Sequence, residues 1–270
     1  MNEPIPHSPE ASTRPVVTSS RIPFRQVLPN LVTILSICAG VTGIRFAFEG
    51  RFELAVGLVL GAAFLDGIDG RIARLVNGQS RFGAEMDSLA DIVNFGVAPA
   101  LLLYAYTLHD VGSIGWIAAL LYISGCALRL ARFNTMLDEP NRPAWKSAFF
   151  VGVPAPAGAG LALFPVYLGF TSNVNVPDLT AFFAAVYLVA IGLLMASRIP
   201  TYSGKTIGIP VRRDHVVPMI LFVVLYIGLL LSFFWETLTV SALAYFASIP
   251  FAVRSYRKQA AKNAVADTPV

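Results

Sequence analysis

Eight apolar runs constrain this chain more than any other feature of its sequence. Each run is about twenty residues long, and short polar stretches separate them. A membrane-spanning helix needs about 20 apolar residues, and in lipid only helices and closed barrels satisfy their own backbone hydrogen bonds. We therefore predict an all-α integral membrane protein with about eight transmembrane helices. The predicted spans are residues 28–48, 54–76, 83–107, 113–133, 148–170, 179–197, 216–234 and 236–256.

Composition supports this class and leaves little room for a soluble domain. Only 13% of the 270 residues are charged, against about 25% in a typical soluble domain. Residues 1–20 are polar and contain several prolines, which predicts a disordered tail. We expect a transmembrane domain over residues 21–256 and a second tail over residues 257–270.

The basic residues predict the orientation of the chain in the membrane. All but two of the 20 lysines and arginines fall in the two tails and in alternate connections between the spans, the exceptions being Arg45 and Arg51. Cytoplasmic loops carry an excess of Lys and Arg. Both termini should therefore face the cytoplasm from a multi-pass protein of the cell inner membrane. The net charge of +4 needs no nucleic-acid partner to explain it.

Four aspartates lie on two consecutive predicted spans. Asp66 and Asp69 are three residues apart, and Asp87 and Asp91 are four apart, so each pair shares one face of a helix. The two helices are antiparallel and joined by a short polar turn, which lets the four carboxylates meet. The run from Leu54 to Leu65 before Asp66 would span roughly 18 Å of helix, which predicts carboxylates inside the hydrocarbon.

Four carboxylates at that depth would be very costly without a neutralising cation. Hard oxygen ligands select Mg²⁺, Mn²⁺ or Ca²⁺, and two such ions would neutralise the cluster better than Arg74 alone. The glycines Gly67, Gly70 and Gly83 allow a bulky ligand to approach the backbone. A metal cluster beside them suits a diphosphate. Two alternatives are a structural ion pair and the ion relay of a cation-coupled transporter, although no matching hairpin follows later in the chain.

The spacing of this segment resembles the signature of the CDP-alcohol phosphatidyltransferases. The matching residues are Asp66, Asp69, Gly70, Ala73, Arg74, Gly83, Asp87 and Asp91. The resemblance implies a six-helix catalytic core, here followed by two C-terminal helices. It also implies that two divalent cations, Mg²⁺ or Mn²⁺, are held by Asp66, Asp69, Asp87 and Asp91. Asp91 would in addition be the general base.

The same resemblance implies a binding site for CDP-diacylglycerol beside the metals. The implied contacts are Asn30, Thr33, Gly70, Ala73, Arg74, Ser80 and Gly83. For two of them, Asn30 and Thr33 at the start of the first span, an ordinary helix cap or polar interface residue is an equally good interpretation.

Three further segments are similar to the bacterial and archaeal phosphatidylserine synthases of that family. They are residues 127–134, 149–156 and 194–197, with Tyr202 and Lys205 beyond them. The implied acceptor is L-serine, giving phosphatidylserine and CMP. Arginine suits the carboxylate of serine, and a lysine could approach it from the loop between the sixth and seventh spans. The acceptor candidates are Arg129, Arg132 and Lys205. The alternative is that these residues only mark the cytoplasmic side.

Several alternatives stay open at the level of sequence. Within the same family the acceptor could be glycerol 3-phosphate, an inositol phosphate or choline. The alternative from a different class of protein is a cation-coupled membrane transporter. The sequence offers no covalent nucleophile, which favours direct displacement. The resemblance also allows a homodimer.

Overall fold

The computed structural model describes residues 24–137, 149–172, 178–202 and 213–266. Within these ranges the chain forms ten α-helices, one π-helical segment, one 3₁₀ turn and one two-stranded sheet. The elements are α1 (Phe24–Phe48), α2 (Phe52–Leu75), α3 (Arg81–Asp91), a π-helix (Ile92–Val97), α4 (Ala98–Tyr106), a 3₁₀ turn (Leu108–Val111), α5 (Ser113–Leu137), β1 (Phe149–Val151), α6 (Ala155–Ala162), α7 (Phe164–Ser172), α8 (Asp178–Ala196), β2 (Pro200–Tyr202), α9 (Arg213–Ser232) and α10 (Phe234–Ala266).

The helices fit the predicted all-α membrane protein. Four of them in the described ranges are long and apolar enough to cross a membrane: Val27–Phe48, Arg81–Tyr106, Ser113–Met136 and Phe234–Lys262. Three shorter apolar helices are Ala155–Thr171, Thr180–Ala196 and Val216–Ser232. The helix α2 is long enough to cross, but it carries the charges of the acidic motif and falls in neither group.

Helices α1 and α2 form a tight antiparallel hairpin. The turn between them uses Gly50 at φ +76°, a backbone conformation that glycine adopts without steric cost. Gly43 of α1 faces Ala55 and Val59 of α2, where any side chain would have to displace its neighbours. This close packing brings the start of α1 alongside the end of α2.

The predicted third span is a composite of α3, the π-helix and α4. Pro99 has no backbone N–H, so it cannot donate to the Phe95 carbonyl one turn earlier. The Tyr122 hydroxyl donates to that carbonyl instead, at 2.8 Å. Tyr122 is fully buried, so this hydrogen bond ties α5 to the π-helix one turn before Pro99. The π-helix begins directly after Asp91.

The predicted helix over 148–170 is wrong at its beginning. The described chain there starts with strand β1, which pairs antiparallel with β2 so that Phe149 faces Tyr202 and Val151 faces Pro200. Pro154 and Pro156 then delimit the start of α6, because the first turn of a helix is where proline is accommodated at least cost. Gly152 adopts φ +79°, and a Cβ on it would lie 2.5 Å from the Met195 carbonyl oxygen.

Helices α5 and α8 touch backbone to backbone. A Cβ on Gly125 would lie 2.4 Å from the Gly192 carbonyl oxygen, and a Cβ on Gly192 would lie 2.8 Å from the Cα of Tyr122. Small residues allow this close approach between membrane helices. At the other end of the chain, α10 continues to Ala266, well into the segment predicted as a tail.

Candidate active site

The hairpin of α2 and α3 brings the acidic residues together. Carboxylate oxygens of Asp66, Asp69 and Asp87 all lie within 4.8 Å of one another. The side chain of Asp91 lies within hydrogen-bonding range of Asp66. Asp69 is only 3% exposed. All four aspartates of the motif therefore belong to one cluster, with Asp91 next to Asp66.

The donors in this cluster fit a divalent cation. The Oδ1 atoms of Asp66 and Asp69 are buried and have no hydrogen-bond partner. Within the described ranges, no lysine or arginine forms a salt bridge with any of the four carboxylates. Buried carboxylate oxygens without partners are costly. Hard ions such as Mg²⁺ and Mn²⁺ prefer oxygen ligands of this kind.

An open cavity of about 680 Å³ lies against the acidic cluster. Its wall contains every residue that the sequence resemblance assigned to CDP-diacylglycerol, and it also contains Asp69 and Asp87. The wall residues predicted from sequence are Asn30, Thr33, Gly70, Ala73, Arg74, Ser80 and Gly83. Gln79 and Arg81 line the cavity too and were not predicted. A volume of this size suits a nucleotide head group.

The N-terminus of α3 points its first turn at this cavity. The Ser80 hydroxyl accepts a hydrogen bond from the Gly83 N–H at 3.0 Å and caps the helix. Helix N-termini attract anions through their free N–H groups and the helix dipole. A Cβ on Gly83 would lie 2.9 Å from Asn30 Oδ1, so the glycine lets α1 and α3 approach at the rim.

Arg129 is a buried cation close to the acidic cluster. It comes from α5, is 7% exposed, and its Nε has no acceptor. Its guanidinium lies 5.6 Å from the centre of the Phe133 ring and within electrostatic range of Asp91 and Tyr245. A buried charge that lacks a hydrogen-bonded partner is costly. A small anionic ligand in this region would supply that partner.

The other two acceptor candidates stand differently. Arg132 donates hydrogen bonds to the backbone carbonyls of Ser197, at 2.8 Å, and Ala196. A cation on the last carbonyls of α8 is a common C-terminal cap, so the structure gives Arg132 a role in holding α8. Lys205 lies outside the described residues.

Several polar residues near the site were not predicted from the sequence, because their partners lie on other helices. Asn94 and Ser36 are completely buried and hydrogen-bonded to each other, and Tyr245 has a buried hydroxyl close to the Thr201 side chain but without a well-formed hydrogen bond. A polar residue in an apolar run predicts a buried polar contact. Its partner, however, lies on another helix and is set by tertiary packing.

Comparison with protein families finds two matching models. The one described as CDP-alcohol phosphatidyltransferase matches residues 26–196, and so spans α1 to α8 with the whole acidic cluster. A second, described as CDP-alcohol phosphatidyltransferase 2, matches residues 214–250, which lie in α9 and α10.

Curated relatives carry one common name. The CDP-diacylglycerol–serine O-phosphatidyltransferase of Mycobacterium leprae is 41% identical over 243 residues, covering 87% of this chain and 77% of the relative. The proteins of that name from Helicobacter pylori and Methanocaldococcus jannaschii are 39% and 33% identical. They cover 64% and 66% of this chain and 70% and 76% of their own lengths.

Proposed function

Because the chain is a member of the CDP-alcohol phosphatidyltransferase family, we propose that it transfers the phosphatidyl group of CDP-diacylglycerol to the hydroxyl of L-serine. The products would be phosphatidylserine and CMP, as a step of phospholipid biosynthesis. One observation carries the proposal: a cluster of carboxylates beside an open cavity of about 680 Å³, in a chain whose relatives are named for this transfer.

The acidic cluster would be the metal site. Asp66, Asp69, Asp87 and Asp91 would hold two divalent cations, Mg²⁺ or Mn²⁺, whose charge stabilises the negative charge that develops on a diphosphate during displacement. Support comes from the converging oxygens of three of these residues and from the two buried Oδ1 atoms that lack partners. A multi-pass membrane protein has few other reasons to bury four acids together.

The cavity would bind the head group of CDP-diacylglycerol. Arg74 supplies a positive charge beside the diphosphate, and the first turn of α3 offers free N–H groups. Gly70 leaves the surface of α2 open, because a Cβ there would meet no atom within 4 Å. Asn30 and Ala73 complete the wall. The acyl chains would remain in the bilayer.

Arg129 and Asp91 would act on the acceptor. Arg129 would pair with the serine carboxylate and hold its hydroxyl near Asp91. Asp91 would take the hydroxyl proton as the oxygen attacks the phosphorus that carries diacylglycerol. A new P–O bond to serine forms, the bond to the CMP phosphate oxygen breaks, and CMP leaves with that electron pair. Lys205, outside the described residues, stays a candidate for the same anion.

The character of the acceptor site favours serine over a phosphorylated alcohol. A phosphate group is usually met by a cluster of basic residues. Among the described residues, Arg129 is the one buried cation, since Arg132 is engaged by the end of α8. A single arginine matches a single carboxylate. Glycerol 3-phosphate and an inositol phosphate would leave part of their charge unmatched.

We further propose eight spans with both termini in the cytoplasm, in the cell inner membrane. The 20 residues of α9 give about 30 Å of helix, and the 24 residues of α2 give about 36 Å. Both lengths match a hydrocarbon core of about 30 Å. The catalytic domain would occupy residues 21–256, between cytoplasmic tails over 1–20 and 257–270. Cysteine accessibility on either side of the membrane would test this topology, and cross-linking in membranes would test the homodimer.

A direct assay tests the activity. Purified protein is incubated with CDP-diacylglycerol, Mn²⁺ or Mg²⁺, and labelled serine, and both labelled lipid and released CMP are measured. We expect a serine-dependent lipid product, its loss on chelation of divalent ions, and its loss in Asp91→Asn. If another alcohol gives lipid and serine does not, the acceptor assignment is wrong. If CMP is released at full rate after chelation, the metal assignment is wrong.

A further inference from the structure

A chain of buried hydrogen bonds runs from the π-helix to the acidic cluster. Asn94 Nδ2 donates to Ser36 Oγ at 3.0 Å, and Ser36 Oγ donates to the Thr33 carbonyl at 2.8 Å. The Thr33 hydroxyl then lies 2.6 Å from Asp69 Oδ2. Three helical elements that are far apart in sequence are thereby joined through polar groups only.

Every member of this chain is secluded from solvent. Ser36 and Asn94 are 0% exposed, and Thr33 and Asp69 are 3% exposed. Hydrogen bonds in such surroundings are stronger than in water, and losing one partner strands the other. Gly40 adds a steric requirement, because a Cβ there would lie 2.4 Å from Asn94 Oδ1. The side-chain amide of Asn94 is therefore tightly packed against α1 at Gly40.

The Thr33 hydroxyl has two acceptors within reach. It lies 3.1 Å from the Pro29 carbonyl, one turn earlier on α1, and closer to the Asp69 carboxylate. Bonds to an ionised acceptor are shorter and stronger than neutral ones, so the carboxylate is the favoured partner. This bond fixes Oδ2 of Asp69, whereas its Oδ1 has no partner within the protein.

We propose that Asn94, Ser36 and Thr33 are positioning residues that hold the Asp69 carboxylate in register with Asp91 and so set the affinity of the acidic cluster for its divalent cation. The inference rests on the proposed metal site. Asn94 lies in the turn that directly follows Asp91, whereas Asp69 is on α2. The buried relay thus connects the two acidic pairs by a second route, independent of the polar turn between α2 and α3.

This role differs from the nucleotide contact that the family resemblance implies for Thr33. A nucleotide contact would affect the binding of CDP-diacylglycerol and leave the affinity for the metal alone unchanged. A positioning role would weaken metal binding even when no substrate is present. Outer-shell partners of metal ligands typically contribute 10- to 100-fold to affinity, so the two roles are separable by measurement.

Titration of Mn²⁺ into the purified full-length protein in detergent, without substrate, tests the relay. Loss of the electron paramagnetic resonance signal of free Mn²⁺ gives the dissociation constant. We expect Thr33→Val to weaken binding by about 10-fold or more, and Thr33→Ser to restore it. Ser36→Ala and Asn94→Ala should each weaken it by about 2- to 10-fold. Thr42→Val is the matched control, since its hydroxyl bonds the Cys38 carbonyl on the exposed side of α1.

The outcomes separate this inference from the proposed function. Weaker binding in the three relay variants, with Thr42→Val unchanged and melting temperatures comparable, supports the relay. Wild-type Mn²⁺ affinity in folded Thr33→Val and Ser36→Ala overturns it and leaves the transferase assignment intact. A change in the KM for CDP-diacylglycerol alone overturns it in favour of the nucleotide contact. If the wild-type protein binds no Mn²⁺, the metal site and the relay fall together.

Discussion

Gly70 allows binding and folding to be tested separately. Gly67 and Gly70 lie one turn apart on α2, and a Cβ on either would meet no atom within 4 Å. Of these two glycines, only Gly70 lines the cavity assigned to CDP-diacylglycerol. Gly70→Ala therefore adds a methyl group to space that the donor would occupy under the proposed assignment, without a clash inside the protein. Gly67→Ala adds the same group outside that wall.

The expected magnitude follows from this geometry. Alanine is favoured over glycine in a helix by up to about 1 kcal/mol, so neither variant should melt earlier than the wild type. Fitting a ligand against an added methyl group should cost about 1–3 kcal/mol, as overpacking does in a protein core. A factor of ten corresponds to about 1.4 kcal/mol. The kcat/KM for CDP-diacylglycerol should fall roughly 5- to 150-fold in Gly70→Ala and stay near wild type in Gly67→Ala.

The assay is CMP release from mixed micelles at varied CDP-diacylglycerol and saturating serine, with apparent melting temperatures measured on the same preparations. The KM for serine should change much less than that for the donor. Wild-type donor kinetics in a folded Gly70→Ala protein would refute the reasoning, and so would equal losses in both variants. Either result would mean that the donor does not approach α2 at this glycine.

Three further predictions concern the acceptor side. Arg129→Gln should raise the KM for serine about 10- to 100-fold in the CMP-release assay, because a charged hydrogen bond worth roughly 1.5–3 kcal/mol is lost; an unchanged KM would contradict the proposed pairing. Tyr245→Phe should raise that KM about 2- to 10-fold with little change in the melting temperature, since the hydroxyl removed lies near Thr201 without a well-formed hydrogen bond; an unaffected KM would separate Tyr245 from the acceptor. Arg132→Gln should lower the melting temperature by about 2–8 °C with little effect on serine, because its hydrogen bonds go to the end of α8; a KM change as large as that of Arg129→Gln would argue against the capping role.

The acidic motif was predictable because helical period and short loops act locally. Spacings of three and four fix Asp66 with Asp69 and Asp87 with Asp91 on common faces, and the short turn brings the two helices together. The structure accordingly gathers these carboxylates, and the family comparison confirms the resemblance inferred from the same residues. The all-α membrane class was predictable for an equally simple reason, since apolar runs of this length have few other folds available.

The features that sequence reasoning missed depend on partners far along the chain. Pro99 is visible in the sequence, but nothing local indicates that Tyr122 will donate to the Phe95 carbonyl one turn earlier. The pairing of β1 with β2 joins segments about fifty residues apart, and an apolar run gives no sign of it. Arg132 lies in a predicted acceptor segment, yet its hydrogen bonds are decided by where α8 ends.

The contact between Gly125 and Gly192 has a consequence for acceptor selectivity. Arg129 lies one turn beyond Gly125 on α5, roughly 6 Å further along the axis. Because the two backbones touch at the glycines, this contact fixes the position of the Arg129 guanidinium relative to α8. A single methyl group at either glycine would force the helices apart and shift the arginine relative to the acids. If Arg129 holds the acceptor as proposed, discrimination between alcohols would depend in part on two glycines outside the acceptor site.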